Sequence, residues 1–184
     1  MDWEFSVLNY IQNNFSNPVF DSIAIFLGSA LIPMVAILLV ILLIIKKTRR
    51  TGVAMLIAFV LVYILGNLIL KPIIARIRPY DVNTAIQLIV SAEKDFSFPS
   101  AHTYFLFAMA TVIFMRYKKI GLCCYILAVI MALSRMYLYV HYPTDVIAGA
   151  VFGIGLGIAG YFIEKALYNY ISSKKSKPKH AKTE

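Results

Sequence analysis

Three stretches without a single charged residue decide what this chain folds into: Ile23 to Ile45, Thr51 to Leu70, and Val146 to Ile163. Each reaches the roughly 17–25 residues that a helix needs to cross hydrocarbon. With no water in the bilayer, the backbone N–H and C=O groups of such a segment must be satisfied within it, which selects helix. The composition agrees: 60% hydrophobic and 15% charged, with a mean hydropathy of +0.76 over 184 residues. A soluble domain of this length carries more charge. The predicted fold class is an all-α integral membrane protein. It is one domain, residues 1–184, with about five transmembrane helices and an N-terminal interfacial (or sixth) helix.

Within the leading segment 1–21, residues 3–15 set Trp3, Val7, Leu8, Ile11 and Phe15 at helical spacing, with Asn9, Gln12, Asn13 and Asn14 opposite. This pattern suits a helix lying in the membrane interface. Met1-Asp2-Trp3-Glu4 has no basic n-region, so no cleaved signal peptide is expected. Spans are predicted at 22–45, 51–71, 99–115, up to 139, and 144–168. A loop over 73–97 separates the second from the third. Gly149, Gly153 and Gly157 recur every fourth residue in the last span, a small-residue face for close helix packing. Cys123 and Cys124 are adjacent, which disfavours a relaxed disulfide, and they read as packing residues.

The net charge of +9 raises the question of nucleic acid, and the positions answer it. Lys46, Lys47, Arg49 and Arg50 fill one short connector, and Arg116, Lys118 and Lys119 fill another. The segment 172–184, holding Lys174, Lys175, Lys177, Lys179 and Lys182, is a polar basic tail. Those are the places where topology-setting charge belongs, so no nucleic-acid partner is expected. With the spans alternating, all three clusters share one side, predicted to be cytoplasmic. Of the 18 Lys and Arg residues, only Lys71, Arg76, Arg78, Lys94 and Arg135 fall on the opposite, extracytoplasmic side. The N-terminus is expected there too. Four of these five exceptions sit at the ends of spans, where an ionisable group is expensive and function is its default explanation.

Three segments converge on that outer face: the end of the second span from Lys71 to Pro79, Phe98 to His102, and Ser134 to Asp145. They supply strong cations, two histidines, a hydroxyl and one carboxylate. Phosphoryl transfer fits such a set, because its transition state spreads negative charge that fixed guanidinium and ammonium donors stabilise. Lys71, Arg78 and Arg135 do this without a metal, and neither a metal nor another cofactor is expected. A helix beginning near Pro99-Ser100 aims free N–H groups at the same anion, while the Ser100 hydroxyl doubles as a helix N-cap. His141 has Asp145 four residues on, across Pro143, a residue suited to open a helix. A carboxylate so placed fixes an imidazole tautomer. Its alternative role is simply to meet the positive end of that helix. Arg76 is assigned no catalytic role.

Lys71 followed by Arg78-Pro79, then Pro99-Ser100-Ala101-His102, then Ser134-Arg135 with His141 and Asp145, resembles the three signature motifs of the type 2 phosphatidic acid phosphatase superfamily. The resemblance covers about residues 50–165. It implies that His141 is the nucleophile, that Asp145 orients it, and that His102 protonates the leaving oxygen and then activates water. Lys71, Arg78, Ser100, Ala101 and Arg135 would bind the phosphate. Ala101 departs from the glycine usual at that position, so the turn there must be ordinary, without positive φ.

A site at headgroup level favours a lipid phosphate, and Ala85 to Val90 is a candidate lining for its entrance or an interfacial anchor. Small bacterial proteins of this layout resemble undecaprenyl-diphosphatases of cell-wall synthesis, acting at the plasma membrane's outer leaflet. A phosphatidate or phosphatidylglycerophosphate phosphatase has the same motifs. A non-catalytic lipid-phosphate binder or flippase needs the cations but not the paired histidines, and a channel needs charge in mid-span.

Overall fold

The computed structural model describes residues 2–176. Lys177, Lys179 and Lys182 of the predicted tail lie outside the described residues. Among the described residues the regular structure is all helix, in the order α1 (Asp2–Phe15), α2 (Pro18–Ile44), α3 (Arg49–Val62), α4 (Lys71–Ile74), α5 (Pro79–Val82), α6 (Ala101–Arg116), α7 (Lys118–Tyr137) and α8 (Pro143–Ser176). A π-helical stretch, Tyr63–Leu70, joins α3 to α4 without a break.

Local chemistry sets several boundaries. α2 starts earlier than the predicted residue 22 because Asn17 caps it, its Oδ1 accepting from the N–H groups of Val19 and Phe20 at 3.0 Å each. Pro18, which lacks an N–H to leave orphaned, occupies the first turn. Pro143 opens α8 as predicted, but the helix runs on to Ser176 and takes up the start of the segment expected as a tail. Its apolar stretch ends well before that, so the last turns carry no span signal.

Among the described residues, four helices are long and apolar enough to cross a membrane, and α6, with 16 residues, is shorter. α6 is nonetheless the axis of the bundle. Its residues from Thr103 to Ile113 are all buried, and it packs against α8, α7 and α3. The glycine row explains how closely. A Cβ on Gly153 would lie 2.3 Å from the Tyr104 carbonyl oxygen, and one on Gly157 would lie 2.7 Å from that of Ala108. Only hydrogen fits between α8 and the α6 backbone there.

The two ends of α6 register with the two ends of α8. At one end the Ser100 N–H donates to the Asp145 carbonyl at 3.2 Å. At the other, buried Glu164 accepts from Arg50 Nε at 2.8 Å and also from Arg116. α6 therefore spans the same thickness as α8 from Asp145 to Glu164. The KKTRR connector, the turn after α6 and the far part of α8 share one end, as the alternation of spans requires. Ile37, Val40, Leu122, Ile147 and Val151 point outward and are exposed. Such an apolar perimeter is costly in water and suited to lipid.

α1 is not a span. Leu8 is buried against Tyr137 to Tyr142, Asn9 Oδ1 accepts from the Tyr139 hydroxyl at 2.8 Å, and Gln12 Nε2 donates to the Tyr137 carbonyl at 2.7 Å. Every one of these partners lies at the Asp145 end of the bundle, so α1 lies across that end. Ile86, Leu88 and Val90 pack against the same cluster. The segment from Ala85 to Val90 thus anchors the 83–97 loop onto α1 and the α7–α8 connection.

Candidate active site

The α7–α8 connection carries the centre of the site. α7 ends at Tyr137, and Tyr139 takes φ 59°, a left-handed conformation uncommon for an aromatic residue. That reversal, worth roughly 1 kcal/mol or more of strain, turns Val140 and His141 back into the bundle before Pro143 restarts the helix. His141 and Asp145 are completely buried.

His141 Nδ1 lies 3.6 Å from Asp145 Oδ2 and 3.4 Å from the Ser97 hydroxyl. The Ser97 hydroxyl in turn donates to Asp145 Oδ2 through a very short contact. The Tyr142 N–H donates to the same oxygen at 2.9 Å. An acceptor-rich surrounding of this kind keeps the proton on Nδ1 and leaves the Nε2 lone pair free. On that free side Arg78 Nη1 stands 3.5 Å away. Burial holds His141 below the ordinary histidine range, and the Asp145 carboxylate offsets this only in part. The imidazole is therefore neutral near pH 7, the form that acts as a nucleophile.

Arg78 is 1% exposed and is fixed by backbone as well as by charge. Nη1 donates to the Val140 carbonyl at 3.0 Å and Nε to the Asp95 carbonyl at 2.9 Å. Nη2 pairs with Glu93 Oε2 and Asp95 Oδ1, each at 2.5 Å. Lys71, also buried, pairs with Asp95 Oδ2. These two carboxylates of the 83–97 loop were not anticipated from sequence. Burial pushes the Asp95 carboxyl upward, but Lys71 and Arg78 outweigh it and hold the group below the usual carboxylate range. Glu93 behaves alike: burial raises it, and Arg78, His141 and His102 bring it down. The loop thus sets two anions where cations converge beside the histidines.

The second histidine enters from the start of α6. His102 Nε2 faces the Gly28 carbonyl at 3.3 Å, and since that oxygen only accepts, Nε2 carries the proton. Its Nδ1 is buried without a hydrogen-bond partner among the described residues. An orphaned buried nitrogen is costly. Arg135 comes from the last turn of α7. It donates to the Ala24 carbonyl at 3.1 Å and to the Ser134 hydroxyl. Gly28 makes room for it, because a Cβ there would lie 2.6 Å from the guanidinium. α2 therefore positions both His102 and Arg135.

The structure revises one sequence expectation. Ser100 stands at the start of α6 but makes no side-chain cap; its buried hydroxyl accepts from Thr103 Oγ1 at 3.0 Å. Arg76, which stands out in the sequence by the cost of charge near a span end but matches no motif position, donates to Asp145 Oδ1 at 2.5 Å. Ser97 carried no such signal. Ala101 begins α6 without positive φ, so alanine is tolerated there. Among the described residues no three His, Cys, Asp or Glu side chains group as metal ligands, and guanidinium and ammonium groups repel a cation.

Fold and site together define an all-helical membrane protein with a buried histidine–aspartate pair beside a set of buried cations. The chain belongs to the PAP2 superfamily, whose family model matches residues 47–168. It is 32% identical to an undecaprenyl-diphosphatase of Sulfolobus acidocaldarius, over 72% of this chain and 63% of that protein. It is 33% identical to a putative undecaprenyl-diphosphatase of Escherichia coli K12, over 82% and 75% respectively. Across its curated relatives the chain spans about half to three quarters of their length. A transmembrane PAP2-type phosphatidylglycerolphosphate phosphatase from Bacillus subtilis shares the fold, with a TM-score of 0.69 at 24% identity, covering 97% of this chain and 88% of that one.

Proposed function

We propose that this chain is a membrane phosphatase that hydrolyses a lipid phosphate or diphosphate through a phosphohistidine on His141, without a metal. The observation that carries this reading is the divided environment of His141, with Asp145 and Ser97 on Nδ1 and the Arg78 guanidinium beside Nε2. In the first step the Nε2 lone pair attacks phosphorus as the bond to the leaving oxygen breaks, and His102, entering the step as an imidazolium that the anionic substrate stabilises, gives its Nδ1 proton to that oxygen. Arg78, Lys71 and Arg135 take up the charge that spreads over the phosphoryl oxygens. In the second step His102 Nδ1 accepts a proton from water, the water oxygen attacks phosphorus, and inorganic phosphate leaves His141 as it was. Asp145 orients the imidazole and stabilises its positive charge. A binder or flippase has no need of this pairing.

For substrate we favour undecaprenyl diphosphate, giving undecaprenyl phosphate. The relatives from Sulfolobus acidocaldarius and Escherichia coli support this choice, and the Bacillus subtilis structural match keeps a phosphatidylglycerophosphate in second place. The distribution of Lys and Arg supports a plasma-membrane protein with its site on the extracytoplasmic face and its C-terminal tail in the cytoplasm. Phosphate release from undecaprenyl diphosphate, phosphatidylglycerophosphate and phosphatidate in detergent is the deciding measurement. The preferred substrate should show the highest kcat/KM, and a higher value for either glycerophospholipid sinks the polyprenyl assignment.

A further inference from the structure

Asp145 has two carboxylate oxygens, and they face different ways. Oδ2 serves His141, Ser97 and the Tyr142 N–H. Among the described residues, Oδ1 has one hydrogen-bond partner, Arg76 Nη1. The Arg76 guanidinium lies 3.8 Å above the Tyr142 ring, and its Nη2 donates to Glu4 Oε2 at 2.6 Å. Thr144 closes the ring: it accepts from Arg76 Nη1 at 2.6 Å and donates to Glu4 Oε1 at 2.5 Å. Glu4 is 4% exposed and comes from α1, some seventy residues before Arg76.

We propose that Arg76 and Glu4 are positioning residues for the reaction: α1 delivers Glu4 to fix Arg76, and Arg76 fixes the Asp145 carboxylate so that His141 Nε2 stays aimed at phosphorus. This rests on the reading of His141 as the nucleophile. The alternative is that the ion pair only docks α1, and the geometry argues against it. Asn9, Gln12, Leu8 and the Phe5 ring, whose centroid lies 5.6 Å from that of Tyr142, already hold α1 in place. A docking contact also has no need to reach the one carboxylate that touches the reacting histidine. Two buried acids sharing one arginine is an expensive arrangement, and it is paid back where Asp145 must not rotate.

The test uses the full chain in detergent micelles, with whichever of undecaprenyl diphosphate, phosphatidylglycerophosphate and phosphatidate the unaltered protein hydrolyses fastest. Glu4→Gln, Arg76→Lys, Arg76→Met, the double variant Glu4→Gln/Arg76→Met and His141→Ala are compared for kcat, KM and thermal midpoint. Expected are losses in kcat of roughly 10-fold for Glu4→Gln and roughly 100-fold for Arg76→Met, since misplacing an orienting carboxylate is costly to the chemical step. KM should stay within about threefold. The double variant should be no worse than Arg76→Met alone, because Glu4 acts only through Arg76. Full kcat in Glu4→Gln and Arg76→Lys, or losses that multiply in the double variant, overturn the proposal. Should Arg76→Met not accumulate as folded protein, Glu4→Gln and Arg76→Lys decide alone. If His141→Ala turns over normally, or none of the three lipids is hydrolysed, the phosphatase reading fails first and this inference falls with it.

Discussion

Arg78 Nη1 and His141 Nε2 stand 3.5 Å apart in the buried centre of the site. A cation that close to a neutral imidazole makes sense if an anion is to come between them. A phosphoryl group attached to Nε2 would be in contact with the guanidinium from the moment it transfers.

His141→Ala is therefore expected to lose activity by at least about 10³-fold while binding lipid phosphate about as before. His102 is proposed to act in both steps, but a phosphate leaving group needs less protonation than an alcohol. With a diphosphate substrate, His102→Gln should accumulate an acid-labile, radiolabelled phosphoenzyme that the unaltered protein turns over. Quenched-flow trapping with labelled substrate checks both, and label retained by His141→Ala contradicts the assignment of the nucleophile.

The pH dependence follows from burial. His141 is held below the ordinary histidine value of about 6.5, so kcat/KM should fall on the acid side only below that pH, as Nε2 takes up a proton. Asp145 opposes the shift by favouring the charged ring. Replacing it with asparagine should slow the reaction and move the acid limb further down. A limb that moves upward in Asp145→Asn counts against the assignment.

Glu93 and Asp95 occupy donors of Lys71 and Arg78 that are proposed to bind phosphate. Asp95 is half exposed at its side chain, whereas its partners are buried. Asp95→Asn should therefore bind vanadate and inorganic phosphate up to about tenfold more tightly, with kcat nearly unchanged, because an internal competitor has gone. Both carboxyls lie below their ordinary range, so the competition persists throughout neutral pH. Inhibition constants measured from pH 6 to pH 8 check this.

The α6–α8 contact predicts a stability effect with no chemistry in it. Gly153→Ala forces a methyl group onto the Tyr104 carbonyl and should cost about 1–3 kcal/mol. Gly155, with open space around it, should accept alanine at little cost. Thermal melts of the two variants in the same detergent make the comparison.

How much of this was legible in the sequence depends on the kind of signal. The uncharged runs located α2, α3 and α8 because a bilayer penalises every charge, and α6 and α7 followed from the basic turn between them. The motif residues His141, Asp145, His102, Arg78 and Lys71 stand out in the sequence because each is an unusual residue for its surroundings. Ser97, Glu93 and Asp95 do not, since a serine and two acids in a connecting loop are ordinary there. Their importance comes from the fold of 83–97 back over Arg78. Glu4 was invisible for a related reason: helical periodicity placed it on α1, but nothing local says that α1 lies across the site. Arg76 was noticed as an exception to the charge bias, and only its partner explains it.

The position of α1 has a practical consequence for anyone handling this protein. An affinity handle or fusion partner joined ahead of residue 2 sits within one helical turn of Glu4, and so one side chain away from the group that holds Asp145. The far end of α8 is at the opposite pole of the bundle, beyond Glu164. A purification handle belongs there, and an N-terminally fused preparation with low turnover should be cleaved before its activity is interpreted.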